Sequence, residues 1–98
     1  MRMMLKFTVP VEKGNQAFTD GSLAKTVAAM MDTLKPEAAY FAPMGGKRSG
    51  MIFFDMTDPS QIVEIVEPLF LNVNAEAEIV PVMNGDDLRK GFEKAGRK

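Results

Sequence analysis

The length of 98 residues allows one domain with a single modest hydrophobic core, and the composition restricts its chemistry. The absence of cysteine and histidine excludes disulfides, thiolate chemistry, zinc sites with sulfur or imidazole ligands, and nucleophiles that depend on histidine. The net charge of −1 argues against nucleic acid as the main partner, because phosphate binding requires an accumulation of Lys and Arg.

The first third of the chain predicts a strand, a loop and a helix. Residues 3–9 alternate between apolar and more polar side chains, which is the period of a half-buried strand. Residues 13–21 are polar and contain two glycines, so we expect a loop, which could form a lid over a pocket with Phe18 pointing inward. Residues 23–35 carry apolar side chains at spacings of three and four, which predicts an amphipathic helix that ends before Pro36.

The middle of the chain predicts a β-hairpin. Residues 37–44 and 49–56 have the composition of strands, and the glycines at 45–46 suit a two-residue turn because glycine tolerates positive φ. If these glycines are the centre of the turn, Tyr40 lies opposite Met51 on one face of the hairpin.

The second half predicts a helix and an edge strand. Asp58 and Pro59 are typical of a helix start, and Pro68 is expected to kink or shorten the helix that follows. Residues 74–83 alternate as a strand, and Pro81 favours an edge position because it cannot donate a backbone hydrogen bond.

A tail helix completes the chain, with Leu88 and Phe92 spaced to anchor it. The order of elements predicts an α+β fold with one domain over residues 1–98. We expect a ferredoxin-like βαββαβ plait, with an antiparallel sheet and a C-terminal helix. The sheet face without helices should carry Met4, Tyr40, Met51, Phe53, Val80 and Val82. Because a large exposed apolar patch usually marks an interface, we expect a second copy or a ligand to cover this face.

The stretch GGKRSGMIFFDM, residues 45–56, is similar to the RNA-reading strand of an RRM domain. An RRM stacks bases on aromatic side chains of its first and third strands. If Gly50 is the glycine of that signature, the stacking positions are Met51 and Phe53, and only one of them is aromatic. The first strand offers no aromatic residue on that face. Binding of single-stranded RNA by the sheet face is therefore a minor alternative, and we expect no nucleic-acid partner.

Three segments carry a closer resemblance, namely LKPEAAYF at 34–41, FDMTDPS at 54–60 and EIVPVM at 78–83. They resemble uncharacterised bacterial proteins of the dimeric α+β barrel superfamily, which includes muconolactone isomerases and antibiotic-biosynthesis monooxygenases. The resemblance implies a homodimer whose two sheets pack face to face. It implies little about activity, because the superfamily contains both enzymes and proteins without catalysis. The haem-degrading branch uses histidine, which this chain lacks.

Three residues are candidates for catalysis. Lys6 lies among apolar neighbours, where a lysine can act as acid, base or nucleophile. Tyr40 could hold a substrate oxygen, and Asp55 could be a general base beside it. Each has an ordinary alternative. Tyr40 could be an interface residue, and Asp55 could pair with Lys6 or Arg48. Lys6 could pair with Asp55, Glu76 or Glu78, or it could reach solvent.

The predicted function is binding of a small organic molecule by a homodimer, and the alternative is a cofactor-independent isomerase or monooxygenase. The residues expected to contact the ligand are Lys6, Phe18, Tyr40, Met51 and Phe53. We expect no metal and no cofactor. No apolar run reaches the roughly 18 residues of a membrane span, and no signal peptide is recognisable, so we expect a cytoplasmic protein without a membrane partner.

Overall fold

A computed structural model describes residues 1–96 and contains one four-stranded sheet. In chain order the elements are β1 (Arg2–Val9), α1 (Val11–Asp20), α2 (Ser22–Leu34), β2 (Ala38–Met44), β3 (Lys47–Asp55), α3 (Gln61–Val73), β4 (Glu76–Pro81) and α4 (Gly85–Lys94). The strand order is β2-β3-β1-β4, and every neighbouring pair is antiparallel. This confirms the predicted α+β fold, a ferredoxin-like plait with a C-terminal helix. The last two residues of the predicted domain 1–98 lie outside the described residues.

The core lies between the sheet and the three helices α1 to α3. The alternation in β1 buries every second side chain, and Leu5 and Val9 are completely inaccessible to solvent. On β3, Ile52 and Phe54 extend this apolar layer, and α3 contributes Leu69. Each such side chain contributes about 1.5–3 kcal/mol when it leaves water. The predicted period of two therefore marks the side of the sheet that the helices cover.

The hairpin has the predicted turn and register. Gly45 and Gly46 adopt positive φ values of 63° and 77°, which a residue with a Cβ rarely adopts. Met44 pairs with Lys47, and Tyr40 lies opposite Met51 as expected.

The prediction of a loop at 13–21 is wrong, because this segment belongs to helix α1. The helix begins after Pro10, whose carbonyl oxygen accepts the first hydrogen bond from the Gly14 N–H at 2.7 Å. Gly14 and Ala17 are its buried residues, and their small size lets the helix lie close to the sheet. Phe18 does not point inward, since 69% of its surface is exposed. No lid of irregular structure exists at this place.

The bounds of α2 and α3 test the helix ends that were predicted from proline residues. Helix α2 ends at Leu34 as predicted, and Lys35 closes it in a left-handed conformation with φ of 45°. Helix α3 begins at Gln61, slightly later than predicted, and continues five residues beyond Pro68. The expected shortening is therefore wrong. Pro68 removes one backbone hydrogen bond at an exposed position, and the buried side chains of Ile65, Leu69 and Val73 hold the helix against the core.

Helix α4 projects from the domain. Asn84 and Asp87 form a capping box, which satisfies the first backbone N–H groups of the helix. No residue of α4 is buried, and Leu88 and Phe92 are 43% and 54% exposed. The expectation that these two side chains anchor the helix to its own chain is wrong. The amphipathic spacing is present, but no other element of residues 1–96 packs against it closely.

Candidate functional site

The open face is the side of the sheet opposite to α1, α2 and α3. The register aligns its side chains in three rows across the strands, in the order β2, β3, β1, β4. The first row is Ala38, Phe53, Met4 and Val80; the second is Tyr40, Met51, Lys6 and Glu78; the third is Ala42, Ser49, Thr8 and Glu76. Beyond the first row, Arg2 lies opposite Asp55 on the same face, so the apolar row lies between these two charged residues and the more polar second and third rows.

Four of the five predicted ligand contacts lie together on the open face. Lys6, Met51 and Tyr40 occupy one row, and Phe53 lies in the neighbouring row. Met51 and Phe53 are half-buried, whereas Tyr40 is 63% exposed. Phe18 is separate from them, because α1 lies on the other side of the sheet.

The three catalytic candidates are not brought together. Asp55 accepts a hydrogen bond from the N-terminal ammonium of Met1 at 2.7 Å. It lies four residues along β3 from Met51, the neighbour of Tyr40, so the two positions are about 13 Å apart. Glu78 lies opposite Lys6 across β4, but neither it nor any other carboxylate of residues 1–96 forms an ion pair with Lys6. Of the two ordinary alternatives for Lys6, the ion pair is therefore absent from the single chain, and the half-buried side chain fits the one that reaches solvent.

A pocket of about 440 Å³ lies on the helix side of the sheet, between α2 and the edge strand β2. We call it the helix-side pocket. Its apolar walls are Phe7, Leu23, Val27, Phe41 and Pro43, and Arg48 is the charged residue among those that line it. The rings of Phe7 and Phe41 meet edge to face with centroids 6.4 Å apart. This pocket was not predicted from the sequence.

Gly50 makes this arrangement of rings feasible. A Cβ atom at Gly50 would lie 2.5 Å from Phe7 Cε2 and 2.9 Å from Phe41 Cδ1, closer than carbon atoms approach. Both rings therefore lie directly against the backbone of β3. A glycine inside a strand often marks such a close approach, and this is the signal that could have indicated the pocket.

Arg48 is held in place by neutral partners from α1. Its Nη1 donates a hydrogen bond to Asn15 Oδ1 at 3.1 Å, and its guanidinium carbon lies 5.6 Å from the centre of the Phe18 ring. Gly14 leaves room for this side chain, since a Cβ there would lie 2.8 Å from Nη1. The predicted pair between Arg48 and Asp55 is wrong, because Arg48 pairs with the buried Val9 and so lies on the helix side.

A second cleft, of about 450 Å³, separates α2 from α3. Its floor is apolar, with Met30 and Leu69, and its rim carries Lys25 and Glu64. A hydrogen bond of 3.2 Å from Asn72 Nδ2 to Thr26 Oγ1 joins the two helices beside it.

Within residues 1–96, no helix has both the length and the apolar character that crossing a membrane requires. In the same part of the chain, no three acidic side chains are grouped so that they could hold a metal ion.

The fold and its surfaces define a small α+β protein of ferredoxin-like topology, with an apolar row on its open face and a pocket on the helix side. A family described as a domain of unknown function, DUF3303, matches residues 1–96, and the chain belongs to this family. No curated protein matches the chain. Family membership thus leaves the activity to be inferred from the surfaces themselves.

Proposed function

We propose that the protein is a homodimer, formed when two open faces pack into a two-sheet barrel, and that it binds a small organic molecule. The observation that carries the dimer is the first row of the open face. Phe53 and Met4 lie side by side at the centre of a sheet whose other face is already covered. Contiguous apolar side chains in this position usually mark an interface. The proposal agrees with the resemblance to the dimeric α+β barrel superfamily.

The surface area of the single chain supports this assembly. The chain exposes 6663 Å², whereas a compact monomer of this mass exposes about 5,500 Å². Its radius of gyration is 15.7 Å, compared with about 12.6 Å for a compact domain of this length. The excess of about 1,100 Å² exceeds the roughly 800 Å² that each partner buries in a stable interface. The open face and the projecting helix α4 both contribute to this excess, and the open face is the surface that the second copy would cover.

The charges of the open face also suit a symmetric pair. Burial of an unpaired lysine is costly, so Lys6 needs a carboxylate when the faces meet. Glu78 lies beside it in the same row, and a two-fold interface presents the Glu78 of the second copy as well. In this arrangement a ligand bound between the two open faces would contact the polar groups of Lys6 and Tyr40. Its apolar contacts would be Met51 and Phe53.

The helix-side pocket supports the binding of a small molecule within each chain. Its volume of about 440 Å³ lies within the range of about 300–1,000 Å³ that is usual for ligand sites. Binding is favoured over the alternative of an isomerase or monooxygenase because Asp55 is about 13 Å along the sheet from the Tyr40 row. An acid–base mechanism would need these groups within hydrogen-bonding reach of one substrate.

Native mass spectrometry with light scattering tests the proposal. The wild-type protein should have the mass of two chains, and a discrete adduct would identify a bound molecule. Phe53→Glu places a charge in the apolar row and should give a single-chain mass. Leu71→Glu is the matched control, since Leu71 is an apolar residue of α3 with 74% exposure, away from the open face. A wild-type protein that stays monomeric, or a Phe53→Glu variant that stays dimeric, would contradict the proposed interface.

A further inference from the structure

We infer that the helix-side pocket binds a small aromatic carboxylate, with the carboxylate on Arg48 and the ring against Phe41. This inference rests on the proposed function, because it specifies the class of the small molecule.

The charge of the ligand follows from the surroundings of Arg48. Its two partners, Asn15 and Phe18, orient the guanidinium but bring no negative charge. No carboxylate of residues 1–96 forms an ion pair with it, whereas Arg2 pairs with one carboxylate and Arg89 with two. A guanidinium has five N–H donors in a planar fork that matches a carboxylate, and Asn15 takes one of them. A ligand carboxylate would form an ion pair with this guanidinium, which is already held in position.

The shape of the ligand follows from the walls. Phe41 is 50% exposed although its side chain lies on the helix side, because no helix among the described elements packs closely on β2. Phe7 already contacts it edge to face, and a flat ring placed on the remaining exposed surface of Phe41 would be covered by Leu23 and Val27 of α2. One or two fused rings with a single carboxylate combine both features.

The cleft between α2 and α3 does not support a comparable inference. Its rim carries Lys25 and Glu64, which have opposite charges, so it selects no particular charge in a ligand. The helix-side pocket differs because its one charged side chain lacks a counterion.

The test is a titration of the dimer with 2-naphthoate and with the neutral amide of the same ring, followed by calorimetry. Naphthoate should bind with saturation, and the amide should bind about 10- to 100-fold more weakly, the value of a hydrogen bond to a charged group. Arg48→Met should weaken naphthoate binding by a similar factor and leave the amide almost unchanged. Arg48→Lys should restore part of the affinity.

Arg89→Met is the control, since Arg89 lies on exposed α4 and should not affect either probe. The amide also reports whether Arg48→Met has kept the pocket intact, because loss of the pocket would weaken both probes. Equal affinity for naphthoate and the amide would overturn the inference and leave small-molecule binding in place. If neither probe binds, the inference is overturned. The proposed function is tested separately, because the mass of the same samples shows whether the dimer and any bound molecule are present.

Discussion

Substitution of Gly50 by alanine tests how tightly the two rings pack on β3. The new Cβ would lie 2.5 and 2.8 Å from two atoms of Phe7 and 2.9 Å from Phe41. Phe41 is half-exposed and can swing outward, but Phe7 is 3% exposed and is held by the core. The strain therefore falls on Phe7, and the backbone or the ring must shift to accommodate a single methyl group.

The expected cost is a balance of two effects. Overpacking of a closely packed core costs about 1–3 kcal/mol. Replacement of glycine restricts the unfolded chain, which stabilises the folded state by about 0.4–1 kcal/mol. The net loss is about 1–2 kcal/mol, which corresponds to a decrease in melting temperature of roughly 5–15 °C for a domain of this size.

Thermal unfolding followed by circular dichroism measures this decrease, with all variants at equal chain concentration because a dimer is more stable when concentrated. The control is Gly91→Ala on α4, where a new Cβ meets no atom within 4 Å and alanine is the better helix former. Gly91→Ala should not lower the melting temperature. A Gly50→Ala variant that unfolds at the wild-type temperature would refute the close packing of Phe7 on Gly50.

Three further predictions concern the core, the tail helix and acid stability. Leu69→Ala removes a side chain that is 1% exposed and should lower the free energy of unfolding by about 2–5 kcal/mol, measured by urea denaturation. Asn84→Ala removes the capping box and should reduce the helix content and amide protection of α4, while the global unfolding midpoint stays unchanged because α4 buries nothing. The hydroxyl and backbone N–H of Ser22 lower the pKa of Asp20 from its ordinary value of 3.8. The folded state therefore gains stability above that value and loses it as the pH falls through the lowered pKa, so Asp20→Asn should reduce the acid sensitivity of the unfolding free energy.

The strands were predictable because two local features determine which side chains lie on each side of the sheet. The alternation in β1 separates the buried side from the open face, and the pair Gly45-Gly46 fixes which residues of the hairpin lie opposite each other. A shift of one residue would move every side chain to the other face, so the register is strongly determined.

Helix α1 was not predictable from the same kind of pattern. Its buried positions are Gly14 and Ala17, which contribute little to any apolar periodicity. What stabilises the helix is close packing on α2, α3 and β3, and the contacts with α3 and β3 join residues far apart in the chain. The position of Arg48 depends on the same packing, so the helix-side pocket could not be found before α1 was placed. The prediction for the tail helix was wrong for a different reason. The spacing of Leu88 and Phe92 indicates an apolar face but does not indicate which surface covers it.

Strand β3 connects the two proposals, because it contributes to both faces of the sheet. Arg48 lines the pocket on the helix side, and Gly50 lies under the rings of Phe7 and Phe41 on that side. Met51 and Phe53 alternate with them and lie on the open face. The residues that resemble an RNA-reading strand are therefore explained by two different surfaces. Since alternate side chains point to opposite sides, Phe53→Glu changes the interface without replacing a wall of the pocket, and Arg48→Met does the reverse. Dimerisation and ligand binding can thus be removed one at a time, and an effect of Phe53→Glu on naphthoate binding would measure how strongly the sheet couples them.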